Sequence, residues 1–141
     1  MKIVICSGGF DPIHSGHIAY FRAAKRLGDT LVVGVNSDEW LTRKKGKPFM
    51  NWEERTTVVG ALKWVNNVLS FDDSDDSACS LLETLKKTWI GKGDELIFAN
   101  GGDRNNTNNR EAKVEGVTFV YGVGGSNKKN SSSDILKAWK E

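Results

Sequence analysis

Residues 2–17 have the sequence KIVICSGGFDPIHSGH, and this stretch decides the prediction of the fold. The apolar run Lys2–Cys6 predicts a buried first strand. A glycine-rich turn follows, and apolar residues at three-residue steps predict a helix from about Ser15 to Leu27. A strand, a glycine turn and a helix N-terminus form a pocket for anions, because unpaired backbone N–H groups and the helix dipole point to the same place.

The only two histidines of the chain, His14 and His17, lie in this stretch, three residues apart. That spacing places both imidazoles on one side of the helix start. Two imidazoles in an anion pocket indicate chemistry on phosphate, so the leading interpretation is phosphoryl or nucleotidyl transfer. Two alternatives stay open. The pair caps the helix or packs in the core, or it binds zinc, which would need carboxylates because neither cysteine is nearby in the sequence.

Length, composition and charge narrow the class of protein. The 141 residues fit one domain, 1–141, and 38% hydrophobic with 27% charged residues is typical of a soluble globular protein. A net charge of +2 is too small to indicate nucleic acid as a main partner. No apolar run approaches the roughly 20 residues of a membrane helix, so no membrane partner is predicted and a cytoplasmic location is expected. Cys6 and Cys79 are expected to be buried reduced thiols.

Strand and helix patterns alternate along the rest of the chain. Apolar runs predict four more strands, at Thr30–Val35, Val68–Phe71, Glu95–Ala99 and Val117–Tyr121. Helical patterns lie between them, and a closing helix is predicted over Ser133–Trp139. This order predicts an α/β fold, a Rossmann-like doubly wound sheet of five parallel strands with helices on both faces.

Three polar segments between the strands also carry predictions. Asn36–Met50 contains a cluster of basic residues and is expected to be a mobile loop. Asn51 and Glu54 have the spacing of a helix-capping pair, so a helix is expected to begin there. The acidic run Asp72–Asp76 is expected to be the solvated start of the next helix, where negative charge suits the helix dipole.

Polar and glycine-rich loops follow four of the predicted strands. These loops are Gly8–His17, Asn36–Asp38, Asn100–Arg104 and Gly122–Ser133. In open α/β sheets, ligands bind at the carboxyl ends of the strands. Because parallel strands end at the same edge of the sheet, the four loops are expected to converge on one ligand site.

The segment Gly9–His17 resembles the HxGH motif of the cytidylyltransferase-like nucleotidyltransferases. The branches of that family include glycerol-3-phosphate cytidylyltransferase and the heptose-1-phosphate adenylyltransferase domain. The resemblance continues, in matching order, through Val33–Asp38, Trp52–Arg55, Gly101–Asp103 and Ser131–Ile135. It spans nearly the whole chain, and the ordered set is more specific than the HxGH motif alone.

The resemblance implies a reaction and its catalytic residues. The phosphate of a small acceptor, a sugar phosphate or a polyol phosphate, would attack the α-phosphorus of ATP or CTP, and pyrophosphate would leave. Mg²⁺ would accompany the nucleotide, and no protein residues are assigned to a metal. Such reactions rest on positioning and charge neutralisation. The resemblance assigns catalytic roles to His14, His17, Lys44 and Arg55.

The family motifs also assign residues to the two substrates. Those assigned to the nucleotide are Gly8, Gly9, Phe10, Asp11, Gly16, Gly102, Asp103, Ser131, Ser132 and Ser133. Lys47 and Asp38 are assigned to the acceptor. For Asp11 and Asp103, turn formation beside glycine is the alternative. Capping of the last helix is the alternative for one of the serines.

The sequence does not decide between ATP and CTP, or between an enzyme and a regulatory module. Cytidylyltransferases of the family have an arginine before the late serine cluster, and residues 124–130 contain none, which favours ATP slightly over CTP. The alternative function is a catalytically silent nucleotide-binding regulatory module. A relation to class I aminoacyl-tRNA synthetases is disfavoured, because the chain has no second lysine motif of their kind. The family often forms dimers, so a homodimer is compatible with this sequence.

Overall fold

The computed structural model describes residues 1–89, 93–101, 109–124 and 132–140. Its strands are β1 Lys2–Gly8, β2 Thr30–Val35, β3 Asn67–Leu69, β4 Glu95–Ala99 and β5 Val117–Val120. All neighbouring strands pair in parallel, in the order β3-β2-β1-β4-β5. The predicted five-stranded parallel sheet is therefore confirmed.

Helices cover both faces of the sheet. They are α1 Ser15–Lys25, α2 Asp38–Lys45, α3 Trp52–Gly60, α4 Cys79–Trp89 and α5 Ser132–Lys140, with a short 3-10 helix at Arg110–Lys113 that the sequence analysis did not predict. Successive residues of β1 enter opposite cores, because side chains alternate along a strand. Val4 packs in the core that contains Phe21 of α1, and Ile3 packs in the core that contains Leu82 of α4. Cys6 and Cys79 are buried thiols, as predicted.

The prediction of a mobile loop over Asn36–Met50 is wrong, because this segment contains α2. The Ser37 hydroxyl oxygen accepts a hydrogen bond from the Trp40 N–H and caps the helix, which ends at Gly46 with a φ of 94°. Leu41 is the only residue of this eight-residue helix that is buried. The apolar periodicity on which the prediction relied is therefore too weak to reveal it.

The prediction of a solvated helix start over Asp72–Asp76 is wrong for Asp73. This carboxylate is 5% exposed and accepts hydrogen bonds from Asn36 Nδ2, at 3.0 Å, and from both the N–H and the hydroxyl of Ser37, at 2.8 Å each. It thereby fixes the end of β2. The α4 helix begins only at Cys79 and has no acidic residue in its first turn.

The strand order places a ligand crevice between β1 and β4. The chain continues from β1 to β2 on one side and reaches β4 on the other side, so the winding reverses between these two strands. Ligands of open α/β sheets bind at such a reversal, beyond the carboxyl ends of the strands. None of the helices within the described ranges is long and apolar enough to cross a membrane.

Candidate active site

The two histidines cap the first helix reciprocally at the carboxyl edge of the sheet. His14 is the N-cap residue of α1, and its Nδ1 accepts a hydrogen bond from the Gly16 N–H at 3.1 Å. His17 Nδ1 accepts from the His14 N–H at 3.2 Å. The two rings stack with centroids 3.8 Å apart and an angle of 24° between their planes. The capping alternative was thus correct as a description of these contacts, and it is compatible with a role in binding phosphate.

This capping arrangement determines which nitrogen of each neutral ring carries the proton. A ring nitrogen that accepts a hydrogen bond carries no proton, so each neutral imidazole has its proton on Nε2. Burial, with a smaller contribution from the neighbouring His14, lowers the pKa of His17 to about 3. At neutral pH the His17 ring is therefore an uncharged hydrogen-bond donor through Nε2.

Phe10 packs against the histidine pair from the core side. Its ring is 4% exposed and lies edge-on to the His17 ring, with centroids 5.0 Å apart, and it also contacts Phe21. The Phe10 ring therefore packs in the core, and the assignment of Phe10 to the nucleotide stays a prediction. Gly8 is required here, because a Cβ at that position would lie 2.9 Å from Cζ of Phe10.

Asp11 holds a loop in place through its buried side chain, and its assignment to the nucleotide stays a prediction. The side chain is 1% exposed and accepts from the Phe49 N–H at 2.7 Å and the Met50 N–H at 2.6 Å. It also forms an ion pair with Lys45 Nζ at 2.7 Å. These contacts tie the loop between α2 and α3 to the segment that precedes His14.

Arg55 is completely buried, and its assigned catalytic role stays a prediction. Its guanidinium donates to three backbone oxygens, those of Gly9, Asn36 and Met50, at 2.9, 2.7 and 2.9 Å. A fourth bond, 2.7 Å long, joins it to the carboxylate of Asp38. Arg55 therefore joins the ends of β1 and β2 to α2 and α3.

The lysines and Asp38 that the sequence assigned to the site lie at its outer side. Lys44 is exposed on α2, with its Nζ 4.8 Å from the centroid of the Trp40 ring, and Lys47 is exposed after the helix. The Asp38 side chain is 39% exposed despite its ion pair with Arg55. It lines a cleft of about 380 Å³ together with Trp52 and other residues at the ends of β2 and β3.

The carboxyl ends of β4 and β5 approach the same helix start. A Cβ on Gly101 would lie 3.3 Å from the Tyr20 ring, and a Cβ on Gly124, where φ is 83°, would lie 2.9 Å from the Tyr20 Cα. Ser132, the first residue of α5, donates a hydrogen bond from its hydroxyl to the Pro12 carbonyl at 2.8 Å. The predicted convergence of the loops is thus confirmed for their described parts.

Four of the residues assigned to the nucleotide cannot be placed in this geometry. Gly102, Asp103 and Ser131 lie outside the described residues, and of Ser133 only the backbone in α5 is described. Gly16 contributes the backbone N–H that binds His14. Within the described ranges, no three His, Cys, Asp or Glu side chains are grouped to hold a metal ion.

Two buried asparagines at the carboxyl edge, Asn36 and Asn100, were not predicted as site residues. Asn36 directly follows β2 and is 7% exposed, and Asn100 directly follows β4 and is 5% exposed. A polar residue immediately after a buried strand was the available signal. Both lay inside the predicted loops, but neither was named as a contact.

Comparison with known proteins agrees with this geometry. The model of the cytidylyltransferase-like family matches residues 5–138. The chain belongs to the cytidylyltransferase-like family. It is 36% identical to the bifunctional protein HldE of Geobacter metallireducens and 34% identical to that of Geobacter sulfurreducens. Each alignment covers 99% of this chain and 28% of the relative, so the chain spans little more than a quarter of these relatives.

Solved structures share the fold of this cytidylyltransferase-like chain. The lipopolysaccharide core biosynthesis protein from Thermoplasma volcanium has a TM-score of 0.68 at 23% identity, covering 92% of this chain and 99% of the other. The bifunctional NMN adenylyltransferase/ADP ribose pyrophosphatase from Francisella tularensis has a TM-score of 0.70 at 10% identity. This match covers 98% of this chain and 41% of the other.

The structural role of Arg55 can be tested by Arg55→Met. This change removes the donor for three backbone oxygens, and each buried group left without a partner costs about 1–3 kcal/mol, so we expect the free energy of unfolding to fall by about 3–5 kcal/mol in urea denaturation. Arg43→Met is the matched control. It breaks an ion pair with Asp76 in which both side chains are about half exposed, and we expect a loss below about 1 kcal/mol. An Arg55→Met protein as stable as the wild type would contradict this role.

Proposed function

We propose that this chain transfers a nucleoside monophosphate from ATP or CTP to a small phosphorylated acceptor, a sugar phosphate or a polyol phosphate, and releases pyrophosphate. The observation that carries the proposal is the stacked histidine pair at the N-terminus of α1, beside the crevice between β1 and β4. Membership in the cytidylyltransferase-like family supports the same chemistry.

The proposed step exchanges one bond to phosphorus for another. An oxygen of the acceptor phosphate forms a bond to the α-phosphorus, and the bond between the α-phosphorus and the bridging oxygen breaks, so negative charge grows on the departing pyrophosphate. The Nε2–H groups of His14 and His17 would donate hydrogen bonds to phosphate oxygens as this charge grows. Neutral donors suffice because no proton has to be transferred.

The basic run Arg43–Lys47 divides into structural and substrate-facing residues. Arg43 pairs with Asp76, and Lys45 pairs with the buried Asp11. Lys44 and Lys47 are exposed, and we assign them to the triphosphate and to the acceptor phosphate. Asp38, on the cleft near β2, would accept hydrogen bonds from hydroxyl groups of the acceptor.

Mg²⁺ is proposed as part of the nucleotide substrate. Magnesium commonly binds enzymes through substrate phosphates and water with one or two carboxylates. Asp11 is committed to two backbone N–H groups and Lys45, so it does not suit this ion. When bound, the ion would neutralise charge on the triphosphate. A cytoplasmic location and a homodimer stay predictions.

The direct test is pyrophosphate release from ATP and from CTP, each with Mg²⁺ and a panel of sugar phosphates and polyol phosphates. Product formed with one nucleotide and one acceptor would establish both substrates. Nucleotide-dependent thermal stabilisation with no product from any acceptor would instead favour the silent regulatory module.

The role of the histidines is tested by His17→Ala. Loss of one hydrogen-bond donor to the developing charge should lower kcat by at least about 100-fold. His17→Gln is the control, because glutamine at this position of a capping box keeps the helix cap and offers a neutral N–H donor. It should recover part of the loss. Unchanged turnover in His17→Ala would show that the histidine pair is not the catalytic site.

The role of Lys44 is tested against a lysine in a similar local setting. Lys44 and Lys63 each place Nζ near a tryptophan ring, at 4.8 and 5.0 Å from the centroid. A charged hydrogen bond to phosphate is worth about 1.5–3 kcal/mol, so Lys44→Ala should lower kcat/KM for the nucleotide by about 10- to 100-fold. Lys63→Ala should leave it unchanged. Equal effects of the two substitutions would contradict the assignment.

A further inference from the structure

Three asparagines of the described residues are buried near the carboxyl edge of the sheet, Asn36, Asn100 and Asn109. The side chains of two of them are hydrogen-bonded within the protein. Asn36 Nδ2 donates to Asp73 at 3.0 Å. Asn109 Nδ2 donates to the Tyr121 hydroxyl at 3.1 Å, and its Oδ1 accepts from the Glu111 N–H at 3.1 Å. Asn100 differs, because its Nδ2 is buried without a hydrogen-bond partner. It is the only buried side-chain nitrogen or oxygen within the described residues that has none.

The backbone of Asn100 is fixed on both sides. Its N–H donates to the Val120 carbonyl at 2.7 Å, and its carbonyl accepts from the Val123 N–H at 3.0 Å. The side chain is therefore held at the carboxyl end of β4 by the neighbouring strand. A buried polar group without a partner is costly and rare in native proteins, so it calls for an explanation.

Asn100 lies beside the crevice that the histidine pair borders. The two residues that flank it both contact Tyr20, since the Tyr20 hydroxyl donates to the Ala99 carbonyl and Gly101 lies against the Tyr20 ring. Tyr20 is three residues after His17, about one helical turn along α1. The crevice lies between β1 and β4, and Asn100 is the first residue after β4.

We propose that the Asn100 side chain is a nucleotide-binding group, whose Nδ2 donates a hydrogen bond to an acceptor atom of the nucleoside triphosphate in this crevice. The proposal rests on the proposed function. The ligand then supplies a partner for this amide, which has none among the described residues. This explains why a buried amide stands where an apolar residue would stabilise the unliganded protein.

Asn100→Leu tests the proposal, because leucine has a similar volume and no donor. We expect the KM for the nucleotide to rise about tenfold while kcat changes by less than about twofold, since the lost contact binds ground state and transition state alike. The melting temperature of the unliganded variant should stay equal or rise. Asn100→Asp, which keeps the shape and lacks the N–H donor, should raise KM at least as much.

Asn109→Leu is the matched control, because it removes a buried amide that is hydrogen-bonded within the protein. It should lower the melting temperature of the unliganded protein and leave the nucleotide KM unchanged. Inhibition by inorganic tripolyphosphate locates the contact. A weaker inhibition of Asn100→Leu than of wild type assigns the amide to the phosphate chain, and an unchanged inhibition with raised nucleotide KM assigns it to the nucleoside.

An unchanged nucleotide KM in Asn100→Leu, with wild-type turnover present, would overturn this inference and leave the proposed function intact. A wild-type protein that neither binds ATP or CTP nor releases pyrophosphate would overturn both. The two failures are therefore distinguishable in the same set of assays.

Discussion

The reciprocal hydrogen bonds between the two histidines and the start of α1 determine the chemistry available at this edge of the sheet. Each Nδ1 accepts a backbone N–H, so each ring is fixed in orientation and in tautomer. Phe10 packs against His17 from below, and burial keeps that ring uncharged. A side-chain pair that satisfies the helix end thus also presents donors at a place where the helix dipole already favours anions.

Two buried charges hold the loops around this pair. Asp11 binds the segment between α2 and α3, and Arg55 binds the loops after β1 and β2. Both are residue types that occur often in active sites, yet every contact described here is with the protein itself. Separating these contacts would be strongly unfavourable, because a buried charge would lose its partners. Asp11 and Arg55 thus fix the loops that carry the solvent-accessible residues of the candidate site.

The sequence predicted the strands well, because each is a short apolar run and because a strand, a glycine turn and a helix alternate in order. It missed α2, in which Leu41 alone is buried, so that helix has almost no apolar pattern to detect. It placed the histidines at the start of α1 but could not reveal that Asp11 and Arg55 are buried, since a motif gives residue type and approximate place, whereas burial depends on which distant backbone groups fold against them. Asn100 escaped notice for the same reason, because only the packed structure reveals an amide without a partner.

At physiological pH His17 is a neutral imidazole with its proton on Nε2, and the neutral form of His14 carries its proton on the same ring nitrogen. Long-range ¹H–¹⁵N correlation spectra measure this directly, and the chain has only two histidines, so four ring nitrogens account for the whole spectrum. We expect a protonated Nε2 and an unprotonated Nδ1 in His17 at pH 7, and this ring should remain neutral down to about pH 4 because its pKa is lowered to about 3. A His17 that gains a proton near its ordinary pKa of about 6.5, or that carries its proton on Nδ1, would contradict the account.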